Sequence, residues 1–243
     1  MSNPNNKHYD LGIVGGGIVG LAHALSAARR GLCVAVFERH ARPRGASARN
    51  FGMLWPIGQV PGKIRERALS SMETWQQLFT QAGVWNDPCG SLLLARHPDE
   101  LAVLEEFSST AAERGYDCDL LSAQEVAASF PAANARGLLG GLLSRQETLV
   151  EPRQALARIT SFLEETLAVD FYFDTEVHQA GASPLETSRG TFTAERVLVC
   201  SGADFETLFP DVFSASGLTR CKLQMLKTRP QPPGWKLGAM VTD

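Results

Sequence analysis

A glycine cluster near the N-terminus constrains this chain more than any other feature. Gly15, Gly17 and Gly20 are spaced as G-x-G-x-x-G between the apolar run Tyr9 to Val14 and an alanine-rich stretch from Ile18 to Arg30. In such a turn the first glycine permits the tight reversal, the second lets a pyrophosphate approach the backbone, and the third lets helix pack on strand. The N–H groups and dipole of the helix start, at Ile18 and Val19, then face an anion. Gly31 ends the helix. Leu32 to Glu38 follows as an almost unbroken apolar run, the pattern of a parallel strand buried on both faces. In this βαβ unit Glu38, eighteen positions after Gly20, is the candidate ribose ligand. Its charge disfavours a ribose phosphate, and so NADP, even though Arg39 follows. Glu38→Gln is accordingly expected to weaken the dinucleotide by about 10 to 100-fold without lowering the stability of the apo protein. The fingerprint by itself leaves FAD and NAD both open.

Beyond this unit, Ile64, Ala68, Met72, Trp75 and Phe79 form one apolar face of a helix over 63–82, stopped by Gly83. The pattern changes at Cys89. A short strand (SLLLA) precedes a helix from about Asp99 to Arg114, and Ser122 with Glu125 three residues on forms a capping box that opens a third. Pro152 sits at the first position of another helix, running to about Glu165. Phe171 to Val177, Arg196 to Cys200, Leu223 to Thr228 and Leu237 to Val241 read as strands. The expected fold class is α/β: a Rossmann-like dinucleotide domain with a parallel central sheet, at 1–85 and 146–210. It is interleaved with a smaller α+β part at 86–145 and 211–243.

With 44% hydrophobic residues in 243, the chain has the material for a globular core. The net charge of −3 is scattered rather than patterned, which excludes the footprint of a nucleic-acid or anionic-membrane binder and favours a small-molecule partner. The five cysteines form an odd set without a CxxC pair, which argues against a zinc site or a disulfide framework and for a reducing cytoplasm. The polar opening and the glycine-broken apolar run after it read as neither a signal peptide nor a membrane span. His23, on the first helix, is read as a packed or surface residue rather than a catalytic base.

The runs GGGIVGLAHALSAARRG, VFERH and GASARNFGMLWPIGQ together resemble the D-amino-acid oxidase and glycine oxidase superfamily of FAD-dependent oxidoreductases. The form SARNFGMLWPIGQ is similar to a subgroup linked to aminophosphonate catabolism. The resemblance implies FAD as cofactor, with a loop along the pyrophosphate and flavin at Ser47, Arg49, Asn50 and Gly52. It also implies Val177 with its backbone against adenine and Gly202, in VLVCSGA, close to the dinucleotide. The first part of the chain then becomes the FAD-binding domain and the second the substrate domain. The implied reaction takes hydride from the carbon beside the nitrogen of a small amine, amino acid or aminophosphonate, with oxygen or another acceptor reoxidising the flavin. No catalytic residue is assigned. Superfamily members continue beyond the matched region with a segment that covers the flavin, so a truncated and catalytically impaired member is one alternative. An NAD-dependent dehydrogenase sharing only the first forty residues is the other.

Overall fold

A computed structural model of the protein describes residues 7–181 and 184–242; the polar opening at 1–6 lies outside them. The elements run β1 (His8–Val14), α1 (Ile18–Ala28), β2 (Val34–Phe37), β3 (Met53–Leu54), α2 (Lys63–Ala82), β4 (Asn86–Asp87), β5 (Ser91–Ala95) and α3 (Pro98–Ala111). Then come β6 (Cys118–Ser122), α4 (Ala123–Ser129), β7 (Gly140–Ser144), β8 (Thr148–Val150), α5 (Pro152–Leu167), β9 (Asp170–Tyr172) and β10 (Val177–Gln179). The last are β11 (Leu185–Thr187), β12 (Gly190–Val199), α6 (Pro210–Ala215) and β13 (Met240–Thr242). Among the described residues no helix is long and apolar enough to cross a membrane.

The chain forms two compact units, one of residues 1–51, 80–84 and 152–225 and the other of 52–79, 85–151 and 226–243. These bounds differ from those expected from the sequence. Residues 52–79 and 146–151 belong to the second unit because β8 pairs with both β3 and β4 in one three-stranded sheet. Residues 211–225 belong to the first, where Phe213 stacks on Phe205 with ring centroids 4.8 Å apart.

In the first unit a six-stranded sheet has the order β10-β11-β12-β1-β2-β9. β12, β1, β2 and β9 are mutually parallel, while β11 and β10 add an antiparallel flank. All four residues of β2 are buried, as its apolar run demands of a strand covered on both faces. Leu21, Ala24 and Leu25 lie on the buried face of α1, which packs on β1, β2 and α5. Phe37, Tyr172 and Phe192 form an aromatic cluster with centroid separations of 4.7 to 5.3 Å. Each such pair contributes about 0.5–1.5 kcal/mol beyond its burial. Tyr9 donates to Asp170 Oδ2 at 2.6 Å and shares a 2.6 Å hydrogen bond with the Tyr172 hydroxyl, tying β1 to β9 across β2. The single strand expected over Phe171 to Val177 is in fact two. Asp174, at φ 49°, turns the chain, so β9 and β10 end on opposite edges of the sheet.

The second unit has a four-stranded sheet of order β13-β5-β7-β6 beside the small β3-β8-β4 sheet. The alternation of β5 sends Leu93 and Ala95 into a cluster with Leu104, Tyr116 and Leu142. Leu92 and Leu94 go into another with Val126 and Phe130. Both faces of β5 are therefore covered. The Ser122 box caps α4 as expected: Glu125 N–H donates to Ser122 Oγ, and Ser122 N–H donates to Glu125 Oε2 at 2.8 Å. Leu223 to Thr228 is not a strand. Leu223 and Leu226 are exposed, so no apolar face holds that segment against a core, and the sheet expected over Leu237 to Val241 narrows to β13.

Candidate dinucleotide-binding site

The carboxyl ends of the parallel strands hold the site. β1 has β2 on one side and β12 on the other, so the crevice where the strand order reverses opens above Val14, Phe37 and Val199. There a cavity of about 540 Å³, within the usual range for small-molecule sites, lies wholly in the first unit. Gly15, Gly17, Val19, Glu38, Arg39, Ser47, Arg49, Val177 and Gly202 all line it. Gly20, Ile18 and Asn50 stand off its wall. Gly52 lies in the second unit, where its carbonyl accepts the Val150 N–H at 2.8 Å.

The three glycines are required for different reasons. A Cβ on Gly15, at φ 107°, would lie 2.3 Å from the Cys200 carbonyl oxygen, and one on Gly20 would lie 2.0 Å from the Gly15 carbonyl oxygen. Both therefore answer to close backbone packing. A Cβ on Gly17 would meet only the Ser47 side chain, with Oγ at 3.1 Å, and would project at the cavity wall. Gly17 is also the N-cap of α1, which has no side-chain cap on that residue and no acidic residue in its first turn. Ser47, from the 3-10 turn Ala46–Arg49, reaches back so that Ile18 N–H donates to its Oγ at 3.0 Å. The positive end of the helix dipole is thus left facing the cavity without a carboxylate of its own, and Arg44 and Arg49 line the same cavity.

Glu38 is buried at the end of β2 and lines the cavity. Gly16 N–H donates to its Oε2 at 3.0 Å and His40 N–H to its Oε1 at 3.1 Å. A carboxylate oxygen has lone pairs for more than one donor, so ribose hydroxyls find acceptors here. The same bonds correct one expectation. With both oxygens already holding backbone N–H groups, replacing Glu38 cannot leave the apo protein untouched.

Asp204 was not singled out from the sequence, although it stands two residues past Gly202. It lines the cavity, pairs with Arg39 Nη2, and accepts the N–H groups of Glu206 and Thr207 at 3.1 Å each. Burial alone would raise its carboxyl pKa. The hydrogen bonds from Thr207, Arg39 and Glu206 outweigh that and hold the group well below the usual carboxylate range. The Cys200 thiol, also on the wall, is pushed up by burial, which keeps it protonated and poorly nucleophilic. His23 is exposed, with its ring nitrogen 2.8 Å from the Val19 carbonyl oxygen, a local helix contact, and it does not line the cavity. All five cysteines are free thiols.

In the second unit sequence reasoning passed over two buried charged residues. Arg65 donates through Nη2 to Gly115 O at 2.7 Å and Gln146 Oε1 at 2.9 Å, with its guanidinium 4.0 Å from the Tyr116 ring centre. Glu147 is fully buried and accepts the Ile57 N–H at 3.2 Å through Oε1. No pattern in the sequence distinguishes either from a solvated charge.

Comparison with known proteins identifies the family of the chain. The family described as FAD dependent oxidoreductase matches residues 10–242. The glycine oxidase of Bacillus licheniformis is 30% identical over 217 residues, which are 85% of this chain and 57% of that protein. The crystal structure of glycine oxidase from Geobacillus kaustophilus superposes with a TM-score of 0.74 at 26% identity, over 84% of this chain and 58% of that one. L-proline dehydrogenase from P. horikoshii shares the fold, with a TM-score of 0.74 at 18% identity, over 86% of this chain and 57% of that one. The chain thus spans little more than half the length of the relatives it matches. The choice between FAD and NAD that the glycine fingerprint leaves open falls to FAD, and the chain belongs to the family of FAD-dependent oxidoreductases.

Proposed function

We propose that the cavity of the first unit holds the adenosine diphosphate half of FAD. On this reading the protein oxidises the C–N bond of a small amine, amino acid or aminophosphonate. The carrying observation is the convergence of the Gly17 N-cap, Ser47, Glu38 and Gly202 on one cavity at the carboxyl ends of β1, β2 and β12. Glycine oxidases among the relatives, and an L-amino acid deaminase among the structures sharing the fold, support an amine or amino acid as the substrate class. The aminophosphonate option rests on the likeness of residues 47–59. Bound flavin supplies a hydride acceptor, and oxygen or another acceptor takes the electrons onward.

The chain's own residues bind and orient. Glu38 accepts ribose hydroxyls while keeping its backbone N–H donors, and the start of α1 with Arg44 and Arg49 offsets the diphosphate charge. Ser47 fixes the loop that runs beside it, and Val177 and Gly202 bound the adenine end. Asn50 and Gly52 are assigned to the continuation of that loop toward the flavin. The second unit is assigned to substrate recognition. Five free thiols fit a reducing compartment, and we place the protein in the cytoplasm.

The purified protein, denatured and chromatographed, is expected to release FAD. Bleaching of the bound flavin near 450 nm under anaerobic conditions is then followed with glycine, neutral D- and L-amino acids and aminomethylphosphonate. Release of NAD, or of FMN alone, overturns the cofactor site. FAD that none of these amines reduces overturns the substrate class while leaving the site standing.

A further inference from the structure

Arg39 directly follows the candidate ribose ligand, the place where a guanidinium would accommodate a phosphate on the adenosine ribose. Its charge is already committed. Nη2 is paired with Asp204 Oδ2 and Nη1 lies 3.6 Å from Glu176 Oε1. The two carboxylates are not equivalent. The Asp204 side chain is 14% exposed and is fixed through Oδ1 by the N–H groups of Glu206 and Thr207, whereas that of Glu176 is 40% exposed. Asp204 is therefore the preset partner and Glu176 the adaptable one. A ribose phosphate entering the cavity would meet Glu38 and would have to draw Arg39 away. That would leave Asp204, a part-buried carboxylate held by two N–H groups, without its cation, an unfavourable exchange.

We propose that Asp204 is a specificity-determining residue. By holding Arg39 in an ion pair it withholds the guanidinium beside Glu38, so the cavity takes adenosine diphosphate with a free ribose and rejects its ribose-phosphorylated counterpart. This rests on the reading of the cavity as the adenosine diphosphate site, and it adds a residue that acts through Arg39 rather than on the ligand.

The test is displacement of FAD from the protein, read by recovery of flavin fluorescence, with ADP and 2′-phospho-ADP as competitors. Wild type should prefer ADP by about tenfold or more, equivalent to at least about 1.4 kcal/mol. Asp204→Asn keeps an oxygen for the Glu206 and Thr207 N–H groups but frees Arg39, and should shrink that preference at least several-fold. Glu176→Gln should shrink it less, and Arg39→Ala combined with Asp204→Asn should restore it. A merely structural role for Asp204 would weaken both competitors alike and leave the ratio unmoved. An unchanged ratio in Asp204→Asn, or equal binding of the two competitors by wild type, overturns the proposal. Failure of ADP to displace FAD from wild type overturns the cavity reading itself, and this inference with it.

Discussion

Glu38 accepts Gly16 N–H through one carboxylate oxygen and His40 N–H through the other, so the group that offers acceptors to a ribose also holds the glycine turn against the end of β2. Glu38→Gln places an amide NH₂ against one of those two donors. The variant should lose about 1–3 kcal/mol of apo stability as well as FAD affinity. Its melting point should fall by roughly 2–4 °C per kcal/mol in a chain of this size. Calorimetry of the apo forms beside flavin titration checks both, and an unchanged apo melting point would place the carboxylate in solvent. The glycines separate in the same way. Gly15→Ala forces a Cβ onto the Cys200 carbonyl at a positive φ and should fail to give a folded protein. Gly17→Val should fold and lose its flavin, as read by circular dichroism beside the 450 nm absorbance. A Gly17→Val protein that keeps stoichiometric flavin would show the turn to be structural only. Spacing in the sequence points to the glycines and Glu38, whereas Ser47 is reached only through the family resemblance of its loop. The sequence could not carry the Asp204–Arg39 pair, since a contact between residues 165 positions apart leaves no local pattern.

Among the elements, α1, α2, β2 and β5 are legible in the sequence because an apolar stripe or run marks each of them, and α5 because Pro152 marks its first position. The four strands of the β5 sheet were not all visible. β7 contains Gly140 and Gly141, required where a Cβ would come within 2.9 Å of the carbonyls of Leu121 and Leu93, and β6 is half exposed without clean alternation. The turn that separates β9 from β10 was hidden for a different reason: Asp174, not a glycine, adopts the left-handed conformation there. β1 and β9 are further joined by Tyr9. Burial first, and then the hydrogen bonds to Asp170 and Tyr172, push its hydroxyl far above the usual phenol range. A folded-state pKa raised in this way leaves stability intact below about pH 10 and withdraws it as pH climbs above that, because the unfolded chain then releases a proton that the folded one keeps. Thermal melts between pH 8 and 11 should therefore fall more steeply for wild type than for Tyr9→Phe, even though the variant starts lower for want of its hydrogen bonds. Parallel slopes would show that the cluster does not govern alkaline stability.

At the scale of the whole molecule, the α/β class and the interleaving of two parts could be read in advance, but the seams between them could not. Seams are set by strand pairing, as where β8 draws both 52–54 and 86–87 to itself, and pairing is a long-range choice. Residues 218–232 form no regular element, and Arg220, Lys222, Lys227 and Arg229 are exposed within them. Limited trypsin treatment should cut first between 220 and 229, as mass spectrometry of the fragments will show. A first cut inside α2 or α5 would contradict the fold. The glycine turn also bears on how chains of this kind diverge. Gly15 answers to Cys200 and Gly20 to Gly15, so selection for a folded protein alone retains both, generation after generation, whether or not any flavin is bound. A descendant that abandoned its chemistry would keep most of the fingerprint. The first position free to drift would be Gly17, whose missing side chain is the one that the fold itself does not need.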